Sequence, residues 1–192
     1  MEAGPDGDRW FLLGYGGLAA FFALEAALRS RGSASRVDGS LDDRGTTRRI
    51  MAAYVLAAVL APLLRRAPVR LLAPSAGPAG VAFEMTGLGV RIWSMRTLGA
   101  SYSRTLRTTE DQAVVDRGPY RLIRHPGYLG SLITWTGFAL SSRSPVVAAA
   151  VAALLVPAYR RRIAAEEELL GRELPGYADY RRRTRKLVPF LW

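Results

Sequence analysis

The chain carries one histidine, His125. It lies in a dense stretch of polar, aromatic and special-backbone residues running from Asp111 through Gly118-Pro119-Tyr120 to Arg124-His125-Pro126-Gly127-Tyr128. Gly118-Pro119 marks a turn. Pro126 biases His125 away from the helical region and suits the first turn of a following helix. The N–H groups at such a helix start lack intrahelical partners and are available to an anion such as a carboxylate. His125, Tyr120 and Tyr128 would surround that opening, where a structural and a functional histidine fit equally well. A second cluster, Arg160 to Leu170, sets Arg162 and Glu166 four residues apart, on one face of a helix. An acid there suits a cationic ligand and an arginine suits an anionic substrate group. The plainer reading is a solvated charged helix.

Composition removes several alternatives. With no cysteine, the chain has no disulfide scaffold, thiolate metal site or cysteine nucleophile. A single histidine excludes a multi-histidine metal centre. No serine–histidine–acid set stands out. At 192 residues the chain suits one domain, with room for a tail. The net charge of +11 comes from 27 basic residues, all but one of them arginine, and suits nucleic acid, an anionic membrane face or an anionic ligand.

The elements that must position these residues are apolar runs. The mean hydropathy of +0.07 conceals segregation, because apolar residues sit in long stretches with arginines between them. The first run is Trp10–Leu28, and nineteen residues of helix span about 28 Å, the thickness of a bilayer core. Glu2, Asp6 and Asp8 precede it with only Arg9, which speaks for a retained anchor over a signal peptide. Ile50–Leu64, Ala79–Met95, Tyr128–Ser141 and Pro145–Tyr159 follow, the last two joined by the turn Ser142-Arg143-Ser144-Pro145 as a helical hairpin. Short spans of this kind cross when packed on neighbours with arginines snorkelling at their ends. Runs that are apolar all around point to lipid and away from a soluble bundle.

Five spans put the termini on opposite sides. Of the basic residues, 21 then fall on the side of the first connection, the third connection and the tail, against 5 on the other side. The positive-inside rule places the N-terminus outside and the C-terminus in the cytoplasm. Topology thus accounts for the charge, and no nucleic-acid signature accompanies it. Ser30–Thr47, rich in Gly, Ser, Arg and Asp, reads as a flexible loop. Three ionisable residues lie inside spans: Glu25, Glu84 and Arg91. Glu25 and Arg91 share a depth, which suits an interhelical pair; Glu84 sits about 10 Å from Arg91 along the same helix. Gly87 and Gly89 allow another helix to approach the third span closely.

The stretch Gly118-Pro119-Tyr120-Arg121-Leu122-Ile123-Arg124-His125-Pro126-Gly127-Tyr128-Leu129-Gly130 precedes a helical hairpin and then Arg162-Ile163-x-x-Glu166-Glu167. Tyr177-x-x-Tyr180 and Leu187-Val188-Pro189 come after it. In these residues the chain resembles the isoprenylcysteine carboxyl methyltransferase family and its bacterial and phospholipid-methylating relatives, from about residue 93 to 192. Leu174-Pro175-Gly176-Tyr177 is one residue short of the family's usual turn, which leaves Glu166 and Glu167 as alternatives; the spacing to Arg162 selects Glu166.

The resemblance implies an all-α, polytopic integral membrane protein with about five transmembrane helices. Residues 1–98 would form three N-terminal spans and their loops, and 99–192 a methyltransferase core with a cytoplasmic, C-terminal helical cofactor site in the inner membrane. It implies S-adenosylmethionine as cofactor, held by Gln112, Ala113, Val114, Val115, Tyr120, His125, Pro126, Gly127, Tyr128 and Glu166. Arg162 and Glu166 would be the catalytic pair, with Arg162 facing the substrate. The partners implied are the bilayer and a lipophilic methyl acceptor entering from it, with no nucleic acid. A carboxylate or thiolate acceptor needs no base, whereas an amine would pass a proton to His125 or a glutamate. Two rival readings are an NADPH-dependent membrane reductase of the sterol type, against which Ser131 and the Glu-Glu helix speak, and a non-catalytic protein of the same fold.

Overall fold

A computed structural model describes residues 5–29, 43–99 and 114–187, with side chains in the first helix described over 8–27. The helices are α1 (Pro5–Arg29), α2 (Thr46–Leu64), α3 (Ala76–Leu98), α4 (Pro126–Ser141), α5 (Pro145–Glu173) and α6 (Tyr177–Arg183), with a 3₁₀ turn at Gly118–Arg121. Among the described residues the only β pairing is a single parallel bridge, Ile123 to Arg185. Each apolar run became a helix, usually longer than the run itself. α2 begins a full turn before Ile50 because Asp43 and the two threonines after it build a start for it. Residues 43–47 are therefore an ordered turn and helix opening rather than the end of a loop, and 30–42 lie outside the described residues.

The first five helices run up and down. At one end the α4–α5 turn is held by Arg143, in left-handed backbone, whose guanidinium donates to the Leu72 carbonyl at 3.2 and 3.1 Å. At the same end Arg65 donates to Asp8 at 2.6 Å. Ser144 accepts from the Val147 N–H and Pro145 opens α5, a start that the turn sequence predicts. α5 then continues through Pro157 for 29 residues, about 43 Å, which carries it beyond its apolar half into the Arg160–Leu170 cluster.

α3 and α4 form the closest pair. A Cβ at Gly80 or Gly87 of α3 would fall on the α4 backbone, and one at Gly130 or Gly137 of α4 on the α3 backbone. Small residues at this spacing let helix backbones touch. Gly89, expected to share this role, faces open space: one residue of register separates the packed face from the outer one. Around this pair Phe21, Tyr54, Trp135 and Phe138 form an aromatic core, with Tyr54 and Trp135 stacked at 4.9 Å.

The outer surface is apolar as well. Leu12, Val55, Leu56, Val59, Leu63 and Trp93 are exposed. Helices apolar inside and out belong in lipid. Two of them, over Asp8–Ala27 and Thr46–Leu64, are each long and apolar enough to cross a membrane.

Glu25 and Arg91 make the buried interhelical ion pair that their shared depth suggests. Arg91 also donates to the Gly127 carbonyl at 2.9 Å and the Ser131 hydroxyl at 2.7 Å, tying the pair to the first turns of α4. Glu84 is fully buried against Gly17, and neither carboxyl oxygen has a hydrogen-bond partner. An unsatisfied buried polar group costs stability that an apolar side chain of similar volume does not. Glu84→Met is therefore expected to raise the thermal midpoint in detergent; an unchanged or lower midpoint would show that the carboxyl stabilises the fold.

Candidate active site

At the other end of the bundle the chain from Arg117 to Pro126 folds across the helix ends. Its shape follows from its special residues. Gly118 takes φ 55°, in the left-handed region, and Pro119 opens the 3₁₀ turn that buries Tyr120. His125 has φ −122° and ψ 52°, outside the helical region, and Pro126 begins α4. The segment after α6 clasps this stretch: Arg124 N–H donates to Arg185 O at 2.8 Å, and Arg185 N–H to Leu122 O at 3.0 Å. Tyr180 adds a hydroxyl bond to Tyr120 O at 2.8 Å.

Two glutamates on α5 meet this loop in different ways. Glu167 is buried and consumed. Arg124 donates to it from Nε at 2.6 Å and Nη2 at 3.3 Å, His125 Nε2 lies 2.9 Å away, and the Tyr177 hydroxyl donates at 3.1 Å. Burial pushes this carboxyl up, but His125 and Arg124 outweigh burial and hold it down at about 2. Tyr177 is pushed up by burial and by the neighbouring Glu167. Glu166 keeps 26% of its side chain exposed, accepts from the Tyr128 hydroxyl at 2.6 Å, and lies 4.0 Å from His125 Nδ1. The His125 and Tyr128 rings stack at 5.6 Å. The two carboxylates thus divide: one locks loop, α5 and α6 together, and the other lines an opening.

Arg162 lies one turn before Glu166 and is almost wholly buried. Its Nε donates to the Tyr128 hydroxyl at 2.9 Å. Its Nη1 donates to Asp43 at 2.5 Å and to the Thr46 and Thr47 hydroxyls at 3.0 Å each. Burial alone would lower this guanidinium, but Tyr128, Glu166 and Asp43 hold it raised. Asp43, which burial would push up, is held low by Thr47 and Arg162. Nothing in the sequence assigns Asp43 to this site. An acid followed by two threonines before an apolar run signals a helix start, not what that start faces.

The remaining expected residues distribute as follows. Tyr120, His125, Pro126, Gly127 and Tyr128 come together around the start of α4. Val114 and Val115 are half-buried, and Val114 packs on Leu174, Tyr177 and Tyr180. Gln112 and Ala113 lie outside the described residues. The row of unpartnered N–H groups expected after Pro126 is narrower than the sequence suggests. Both Tyr128 and Leu129 donate to the His125 carbonyl at 3.1 Å, and proline has no N–H, so Gly127 supplies the first-turn donor that this carbonyl leaves over. Tight 3₁₀ closure of the first turn is the cause.

A bundle with apolar outer faces and a polar, partly open cluster at one set of helix ends has the character of a helical membrane protein. The model of the isoprenylcysteine carboxyl methyltransferase (ICMT) family matches residues 81–172. That segment runs from the second turn of α3 to the last turn of α5, and over it the chain is similar to this family. It is 31% identical over 118 residues to the probable protein-S-isoprenylcysteine O-methyltransferase of Oryza sativa subsp. indica, covering 58% of this chain and 60% of that one. It is 30% identical over 118 residues to protein-S-isoprenylcysteine O-methyltransferase B of Arabidopsis thaliana, covering 58% of each. It is 31% identical over 115 residues to the nickel-cobalt-cadmium resistance protein NccN of Alcaligenes xylosoxydans xylosoxydans, covering 60% of this chain and 49% of that one. The matched region spans about 60% of the length of the plant relatives.

Proposed function

We propose that this chain is an integral-membrane, S-adenosylmethionine-dependent methyltransferase acting on a lipophilic or membrane-associated acceptor. The observation that carries the reading is Glu166. Its carboxylate is held by Tyr128, remains partly open beside the stacked His125 ring, and sits one turn from Arg162 inside the family segment. The names of the plant relatives put an isoprenylcysteine carboxylate first among acceptors; a phospholipid amine and a small thiol share the required chemistry.

The donor set fits the cofactor. Glu166 offers an anion to an ammonium group, the Gly127 N–H a donor to a carboxylate, and half-buried Val114 and Val115 an apolar wall to an adenine. S-adenosylmethionine supplies a methyl group activated by a sulfonium. The chain's own work is to bind, align and exclude water, and such positioning is worth several kcal/mol. Tyr128 fixes the Glu166 carboxylate. Arg162, expected to face the substrate, is 4% exposed and held by Asp43; it acts by steadying the Tyr128 hydroxyl that fixes Glu166. His125, against Glu166, is placed to take a proton from an amine acceptor.

We place the protein in the inner membrane, with α3, α4 and α5 crossing beside α1 and α2, the N-terminus outside and the site at the cytoplasmic face. The supports are the up-and-down run of the helices and the arginine-rich connections at the site end. Packed on neighbours, the 16-residue α4, about 24 Å long, suffices where flanking arginines reach the headgroups.

The test is titration of purified protein with S-adenosylmethionine and with NADPH by calorimetry, followed by transfer assays of Arg162→Ala and Glu166→Ala. Binding of S-adenosylmethionine alone is expected, with transfer down about 100-fold or more in both variants and the fold retained in Glu166→Ala. NADPH binding would favour a reductase, and binding of neither a non-catalytic protein. Full transfer in both variants would reject their roles.

A further inference from the structure

The chain's one histidine has a glutamate of α5 at each ring nitrogen. His125 Nε2 lies 2.9 Å from Glu167 Oε1, and His125 Nδ1 lies 4.0 Å from Glu166 Oε2. The two contacts differ in kind. Glu167 Oε1 also accepts from Arg124 Nε at 2.6 Å and from the Tyr177 hydroxyl at 3.1 Å, and Arg181 Nε stands 3.7 Å from its other oxygen. A carboxyl in that company stays ionised at neutral pH and has no proton to give. The short contact is therefore a hydrogen bond with the ring proton on Nε2. A neutral imidazole carries one N–H, which leaves Nδ1 a lone pair. The ring is held in this pose: it stacks on Tyr128 with 17° between the planes, its side chain is 2% exposed, and the His125 N–H donates to Lys186 O at 3.2 Å. Among the described residues no hydrogen-bond donor reaches Nδ1.

We infer that Glu167 is a positioning residue for His125: it fixes the proton of the neutral ring on Nε2, so that Nδ1 and Glu166 together offer two hydrogen-bond acceptors to a ligand ammonium. The inference rests on the proposed function only for which ammonium that is, the cofactor's or that of an amine acceptor. The gap of 4.0 Å is too long for a direct hydrogen bond and admits one ammonium nitrogen at bonding distance from both acceptors. Tyr128 donates to Glu166 Oε2 at 2.6 Å, which holds that edge of the cradle in place. The 26% exposure of the Glu166 side chain is the way in. Adjacent acids on α5 thus do linked work: the buried one sets the proton of the ring, and the open one shares a ligand with it. The opposite ring form would set a lone pair against the Glu167 carboxylate and a donor toward Glu166, closing the cradle to a cation.

A single histidine makes the test direct. In full-length protein isotopically labelled at its histidine ring nitrogens, NMR separates a protonated nitrogen from a lone-pair one. Above the ordinary titration range of histidine, Nε2 is expected to carry the proton with no detectable Nδ1–H form. An Nδ1–H form, a mixture of the two, or a ring still doubly protonated overturns the inference. Saturation with S-adenosylmethionine is expected to shift the Nδ1 signal and an analogue lacking the α-amine to leave it in place, which assigns the ammonium to the cofactor. A shift on transfer into nanodiscs of phosphatidylethanolamine, and not of phosphatidylcholine, assigns it to an amine acceptor instead. No shift in either arm overturns the cradle. Absence of S-adenosylmethionine binding by calorimetry overturns the proposed function, and the ring spectrum with the lipid arm still decides the inference. Where the cofactor arm holds, Glu167→Gln is expected to cut the preference for S-adenosylmethionine over that analogue about tenfold. A purely structural tie would weaken both ligands alike, and that result overturns the positioning role. If Glu167→Gln does not fold, the wild-type spectra decide alone.

Discussion

Glu167→Gln is expected to destabilise the protein by about 3 kcal/mol at neutral pH, the scale for removing one partner of a buried ion pair. Arg124 is left 7% exposed without its carboxylate, while the oxygen on which His125 and Tyr177 converge becomes that of a neutral amide. The loss has a pH signature. The folded protein holds Glu167 at about 2 against an ordinary 4.5, so the unfolded chain binds the extra proton first. The stabilisation is fully present above about pH 4.5 and is lost as pH falls through about 2. Thermal midpoints in detergent across pH 2–7 should therefore fall with acid in the wild type, with this component of the slope absent in Glu167→Gln. Parallel curves for the two proteins would show that Glu167 is not the acid-sensitive tie.

The second large effect is expected inside the bundle. Arg91→Met leaves Glu25 charged and buried and strips the Gly127 carbonyl and Ser131 of a donor, at a cost of about 3–5 kcal/mol. Glu25→Met takes a buried carboxylate from the Arg91 guanidinium and should cost a similar amount. The double variant should cost much less than the two together, because packed apolar side chains replace a buried pair with little loss. Unfolding of all three variants in mild detergent measures the coupling, and strict additivity would mean that the pair is not the unit. Because Arg91 grips the first turn of α4, its loss should also weaken ligand binding near Tyr128.

Much of this was legible in order along the chain. Apolar runs located the five long helices because helix formation and burial follow local pattern. Pro126 and the Ser142–Pro145 turn marked two helix starts because proline and serine act on their own backbone. The shared depth of Glu25 and Arg91 followed from helical rise, since each lies a countable distance from a helix end.

What the chain alone determined, then, is its set of helices, where they begin, and which charged residues arrive at the same end. Tertiary packing decided the rest: that Gly87 meets α4 while Gly89 faces outward, that Glu167 is consumed and Glu166 left open, and that Asp43 reaches Arg162 from the start of α2. The reason is range. Propensity, capping and rise act over a few residues and are written locally, whereas the choice between adjacent carboxylates turns on a rotation of α5 of about 100°, set by side chains far away in sequence.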